Sequence, residues 1–426
     1  MLSAIINAFR VPDLRKKIIF TLAIIALYRL GSFVTVPGVN AAELVEAFQS
    51  AAGNAALLFL NLFSGNALSK FSVLSLGIMP YITASIIMQL MQGVIPSLQR
   101  WAREGQTGQK KITQITRYLT LGLGLINAIG YLLLFQNQYG VRFATGEGAP
   151  PEMLTSFVIV FTLVAGVALI MWMGELITQR GIGNGMSLII FANIVASFPS
   201  AIFDSAVTQG AAFTVLVILI VLLVIPGIVL IERAQRRIPV NYAKRIQGRR
   251  VMGGTSTYIP LKVNGAGVIP IIFASALLYF PAQLAAFFNV GWLTSLSNAL
   301  AADSWVNWVL NAVLIVFFCF FYTSMVFNPE DTANNLRKQG GFIPGVRPGV
   351  NTVQYIKNVL NRITLPGGIY IALIAVIPSI LFSMTGDTLI SAFGGTSILI
   401  MVGVALDTMS KLESQLKMHH YEGFFK

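Results

Sequence analysis

The sequence predicts an all-α polytopic membrane protein with ten transmembrane helices, and three observations carry that prediction. First, 55% of the 426 residues are hydrophobic and only 11% are charged, where a soluble domain carries about 25% charge. Second, ten apolar segments lie at about 18–36, 74–94, 118–135, 154–173, 186–203, 212–231, 266–288, 305–327, 365–384 and 392–410. Each is long enough to cross a hydrocarbon layer of about 30 Å as a helix. Third, with the N-terminus placed inside, all of the 29 basic residues except Arg29, Lys70 and Arg142 fall within or beside inside segments. Glu43, Glu46, Glu147, Glu152, Asp204, Asp303 and Asp387 fall outside. Insertion retains Lys and Arg on the cytoplasmic face, so a multi-pass protein with both termini cytoplasmic is expected. Backbone groups in lipid must be satisfied within the segment, which makes the spans helices.

Taken in order, the elements carry further signals. Arg15, Lys16 and Lys17 hold the start of the first span inside, and Met1–Arg10 shows no A-x-A-like cleavage site, so no cleaved signal peptide is expected. The outside segment 37–73 contains a second apolar stretch, Ala55–Phe63, followed by SGNALSKFSVLSLG. It is too short and too interrupted by Ser, Gly and Asn to span. Because it runs straight into the second span, a re-entrant half-helix buried in protein is expected. The second span opens with GIMPYITAS (77–85) and the seventh with GVIPIIFAS (267–275); the fifth contains SLII (187–190) and the tenth SILI (397–400). Five spans per half place the halves in opposite orientation, so 1–203 and 204–426 are expected to form an inverted, pseudo-symmetric pair. The eighth span holds the single cysteine, Cys319, which excludes an internal disulfide and reads as a small buried hydrophobe. The inside loops 232–264 and 328–364 are long, and a tail follows at 411–426. Glu232–Lys262 alone carries eight basic residues, more than topology requires, which points to docking of ribosomal RNA or an acidic protein surface.

The absences narrow the function. No Asp or Glu lies in the middle of a span, and the histidines are His419 and His420 in the tail. Ion-coupled transport usually needs an intramembrane ionisable group, which weighs against a secondary transporter with inverted repeats. There is no H-E-x-x-H, and neither GQTGQKK (105–111) nor GIGNG (181–185) fits a phosphate-binding loop. No catalytic residue, metal site or cofactor is expected, leaving a passive pore or a scaffold. Ile78 and Ile82, like Met186 and Ile190, stand four apart on one helical face; taken alone, these pairs read as ordinary helix packing rather than pore lining.

The runs GIMPYITASIIMQL (77–90), RGIGNGMSLIIFANI (180–194), RRIPVNYAKRIQGRR (236–250), GVIPIIFASALLYFP (267–281), FFCFFYTSMVFNPEDTANNLRKQGGFIPGVRPG (317–349) and FGGTSILI (393–400) closely resemble the SecY/Sec61-alpha family of protein-conducting channels. The resemblance starts at VPDLRKKIIFTLAIIALYRLGSFVTVPGV (11–39) and keeps the same order of ten spans to the last. It implies a channel in the bacterial cytoplasmic membrane, not an enzyme, that passes unfolded polypeptide and releases membrane segments sideways. It further implies a pore ring of Ile78, Ile82, Met186, Ile190, Ile272 and Ile400, with Met186 where the family usually has Ile. A plug helix at about 61–74 would include Asn61, Leu62, Phe63, Ser64, Gly65, Asn66, Ala67 and Leu68. A lateral gate between spans two and three and spans seven and eight would involve Thr83, Ser85, Gln89 and Ser275. Arg236, Arg237, Lys244, Arg245, Arg249, Arg250 and Arg347 would bind the SecA motor or the ribosome, including its RNA. The small subunits SecE and SecG, signal peptides, nascent chains and membrane lipids complete the implied partners.

Overall fold

The structure is a computed structural model and describes residues 9–39, 61, 64–139, 152–242, 245–247, 250–252, 256–288, 291–300, 304–386, 389–390 and 393–422. Each of the ten apolar segments overlaps a helix. In chain order the helices are α1 (Pro12–Gly31), α2 (Met79–Val94), α3 (Pro96–Arg103), α4 (Gln106–Tyr139), α5 (Glu152–Arg180), α6 (Gly185–Thr208) and α7 (Ala211–Arg233). They continue as α8 (Ile269–Phe288), α9 (Gly291–Ala299), α10 (Trp305–Val326), α11 (Pro329–Lys338), α12 (Val350–Thr385) and α13 (Gly395–Glu422). Among the described residues seven helices are long and apolar enough to cross a membrane, or eight if the pair α2 and α3, bent by 101°, counts as one span. Their exposed faces are apolar, as Phe157, Phe161, Leu219, Leu223 and Leu373 illustrate, which suits lipid as the solvent.

Prolines set several of the helix starts. Pro12, Pro80 and Pro329 stand in the first turn of α1, α2 and α11, where the missing N–H has no partner to lose. The matched motifs behave alike: Gly77 and Gly267 both take left-handed backbone, φ 57° and 63°, and a helix begins two residues later at Met79 and Ile269.

Two adjacent groups of helices result. In the first half α4 packs on α2 and α5, α5 on α6, and α1 on α5; in the second, α10 packs on α12 and α8, and α12 on α13. The halves meet along two seams, α8 against α2 and α4, and α6 against α7 and α13. One large apolar cluster runs through both groups.

The polar loops are folded. Strands β1 (Gln235–Tyr242) and β4 (Ser256–Lys262) form an antiparallel hairpin, with Ile238 opposite Ile259, and β2 (Arg245–Gln247) pairs with β3 (Arg250–Met252) within it. Strand β5 (Gly341–Phe342) joins the free edge of β1. Buried Ile238, Val240 and Leu261 share a small core with Leu336 of α11, Ile343, and Ile356 and Leu360 of α12. The two loops at 232–264 and 328–364 therefore form one polar lobe, and α12 extends into it from the apolar layer.

Candidate functional site

The six expected ring residues come from four helices. Ile78 caps the N-terminus of α2 and Ile82 lies in its first turn; Met186 and Ile190 open α6; Ile272 lies in α8 and Ile400 in α13. Ile78, Ile82, Met186, Ile190 and Ile400 are buried, and all five belong to one cluster, with the partly exposed Ile272 packed against it. All six thus lie in or against the apolar cluster that runs through both groups of helices. Asn184 caps α6 by accepting from the Met186 N–H at 3.1 Å, which fixes the start of that helix beside the cluster. The contacts are apolar and non-directional, so the group can separate without leaving hydrogen bonds unmade.

Next to it lies the re-entrant stretch, and here the structure corrects the sequence. A helix is expected across 61–74; among the described residues only Asn61 is helical, and Ser64–Ile78 folds as a succession of turns. Gly65, Asn66 and Phe71 take positive φ of 67°, 64° and 44°, which interrupts any helix. The turns are closed locally. Ser64 Oγ donates to Asn61 O at 2.9 Å, Asn61 Oδ1 accepts from the Ser69 N–H at 3.0 Å, and Asn66 N–H donates to Asn61 O at 2.9 Å. Ser64, Gly65, Ala67 and Leu68 are buried. Leu68 and Phe71 pack between α4 and α5 with Leu132, Phe135 and Leu163. Gly65 approaches Asn193 of α6, since a Cβ there would stand 2.7 Å from Asn193 Oδ1. Asn193 is three residues beyond Ile190, about 4.5 Å along the helix axis, so the turn sits directly against the apolar cluster. Leu62 and Phe63 lie outside the described residues.

At the seam between α2 and α8, Thr83 Oγ1 donates to its own helix at Met79 O (3.1 Å) and Gln89 Nε2 donates weakly to Ser85 Oγ (3.4 Å). Gln89 Oε1 is buried with no hydrogen-bond partner among the described residues. Ser275 is buried on α8. Among the described residues, the hydrogen bonds of Thr83 and Gln89 stay within α2.

The basic residues cluster on the polar lobe. Arg236 and Arg237 are exposed on β1, and the Arg237 guanidinium stacks 4.8 Å above the Tyr258 ring. Arg347 and Pro348 are exposed in the turn before α12, where Thr352 Oγ1 donates to Arg347 O at 3.0 Å. The turn is thus held by backbone while the Arg347 side chain points to solvent. Lys244 and Arg249 lie outside the described residues, and Arg245 and Arg250 are placed by backbone only, at the tip strands β2 and β3.

Sequence reasoning overlooked Arg117 and Glu175. Arg117 Nε donates to Glu175 Oε1 at 2.7 Å and Nη2 donates to Oε2, a two-pronged pair that ties α4 to α5. The two residues are 58 apart in sequence, and no local spacing reveals them.

Comparison with known proteins follows the same outline. A sequence model of the family described as SecY matches residues 72–409. The protein translocase subunit SecY of Streptomyces coelicolor is 49% identical over 439 residues, covering all of both chains. The SecY of Mycobacterium bovis is 46% identical over 442 residues, again covering all of both. Among solved structures, "The structure of a protein conducting channel" superposes with a TM-score of 0.62 at 17% identity, covering 93% of this chain and 91% of that one. Sec61 in the canine ribosome-channel complex superposes at 0.59 and 15% identity over the same shares.

Proposed function

Since this chain belongs to the SecY family, we infer that it is the channel subunit through which unfolded polypeptides cross the bacterial cytoplasmic membrane and from which apolar segments enter the lipid. The observation that supports this reading is the burial of Ile78, Ile82, Met186, Ile190 and Ile400 in one apolar cluster that runs through both halves, with Ile272 packed against it. A narrow apolar neck excludes water, and ions do not enter unhydrated. The same neck widens around any peptide, because packing contacts read no particular side chain. The turn at 64–72 covers it in the closed state.

Sideways release follows from the seam between α2, α4 and α8. Small residues there permit close yet weak contact, and a stretch of about 20 apolar residues that samples the opening prefers lipid. The matched glycine turns at 77 and 267 support an inverted pair of halves, with α1–α6 in one and α7–α13 in the other. The chain holds no motor, so direction comes from partners. The folded basic lobe is the cytoplasmic docking surface for SecA or the ribosome, and SecE and SecG assemble on the lipid-facing helices. Solved relatives include Sec61 bound to a ribosome.

Reconstitution tests the reading. The chain assembled with its two small subunits in lipid vesicles, given the motor and ATP, is expected to move an unfolded secretory precursor into a protease-protected space. Uptake of a small solute down an ion gradient, with the precursor left outside, would instead mark a secondary transporter.

A further inference from the structure

We propose that Arg29 is a releasable latch on the re-entrant turn, and that position 65 is glycine because the latch closes on it. The proposal rests on the channel reading and adds the residue that governs the closed state. The two ends of the turn segment are held in different ways. At 71–73 the ties are backbone: Val36 N–H donates to Phe71 O at 3.0 Å, and Val73 N–H donates to Val34 O at 2.9 Å. The Phe71 ring is buried edge-on against Phe135, with centroids 5.5 Å apart. Releasing this end would strip buried backbone groups of their partners, so it serves as the hinge.

The other end is held to its neighbours by side chains. Arg29 Nη1 donates to Gly65 O at 2.9 Å, and Asn66 Nδ2 donates to Ser200 Oγ on α6 at 3.1 Å. There is no room for a side chain at the closure. A Cβ on Gly65 would stand 2.5 Å from Arg29 Nη1 and 2.7 Å from Asn193 Oδ1, at a φ of +67° that disfavours any L side chain. The wall behind it is fixed, because the Asn193 amide donates to the buried Tyr28 hydroxyl at 2.8 Å. Arg29 forms no ion pair among the described residues, and it lies beside this carbonyl, the Asn193 amide and Tyr28, with the Phe33 ring 6.0 Å away. A charged donor on a neutral carbonyl holds more firmly than an ordinary hydrogen bond. Being only partly buried, the guanidinium can exchange that carbonyl for water. The turn can then swing away on its hinge and return.

The test uses the channel assembled with its small subunits in vesicles, without precursor, and reads ion flux. Arg29→Met and Asn66→Ala are each expected to raise the resting leak by about tenfold, the change that loss of one charged or well-placed hydrogen bond produces. Gly65→Ala is expected to do the same by pushing the latch open. Oxidising a cysteine pair at Asn66→Cys and Ser200→Cys in the Arg29→Met background should return the leak to the wild-type level, and reduction should raise it again. A resting leak unchanged in Arg29→Met would overturn the latch. If Arg29→Met fails to accumulate, Asn66→Ala alone decides, and an unchanged leak there overturns it as well. Wild-type vesicles that never admit a precursor would contradict the channel reading itself.

Discussion

Ile272 differs from the other apolar side chains at the waist in being partly exposed while packed against the shared cluster. That makes it the position where a polar substitution is most easily accommodated by the fold and most directly felt by water. Ile272→Asn puts an amide into an apolar neck, and an unpaired buried amide costs about 1–3 kcal/mol. The closed neck is therefore expected to wet, with ion flux through resting vesicles rising about tenfold or more. Flux equal to wild type in a normally folded variant would remove Ile272 from the waist. Met186 shows the same logic from the other side. Its thioether fills the space over Gly174 of α5, where any Cβ would collide with it. A flexible, unbranched side chain seals an irregular gap that a branched one fits less freely.

At the scale of elements, the polar lobe is the docking surface proposed for partners. Arg347 projects from a turn held by Thr352 Oγ1 on its carbonyl and by the Ile343, Ile356 and Leu360 core beneath. Arg347→Glu leaves all of these in place, so unfolding should shift by no more than about 0.5 kcal/mol. Motor-driven translocation should fall about tenfold, because the charge presented to an acidic partner is reversed. A stable Arg347→Glu variant that translocates normally would detach this turn from docking. The helices behind this lobe were legible from apolar length, yet the lobe itself was not. Its strands carry an inward alternation, Ile238 and Val240 on β1 with Ile259 and Leu261 on β4, that a reader can find in hindsight. Arg, Asn and Pro around them obscured it, and the closing strand Gly341–Phe342 comes from about a hundred residues further on. The re-entrant stretch failed for a different reason. Gly65 and Asn66 announce a turn, but Phe71 takes a positive φ while its ring packs edge-on against Phe135, and no local signal foretells that. The ends of α1 and α2 also shifted, the first to Gly31 and the second to begin at Met79, because the segments between them pair with each other through Thr35 and Ser72.

For the whole molecule, the arrangement of seams matters more than any single contact. The halves meet through α8 on one side and through α6 with α7 and α13 on the other, and the apolar waist lies in the cluster that both seams share. In the proposed mechanism, opening the first seam while the second stays closed would free a path into lipid and widen the waist in the same movement. The long apolar segments made the helical membrane fold readable from the chain alone. The Arg117–Glu175 pair that ties α4 to α5 was not, since it depends on two side chains meeting at long range. The central claim is that an apolar neck built by both halves touches the passenger. The most direct measurement is crosslinking from single cysteines at Ile82→Cys and Ile272→Cys to a precursor stalled in mid-passage. Adducts from both positions, with none from a lipid-facing control such as Leu223→Cys, are the predicted result. No adduct from either position, in channels that demonstrably hold the stalled chain, would contradict the account.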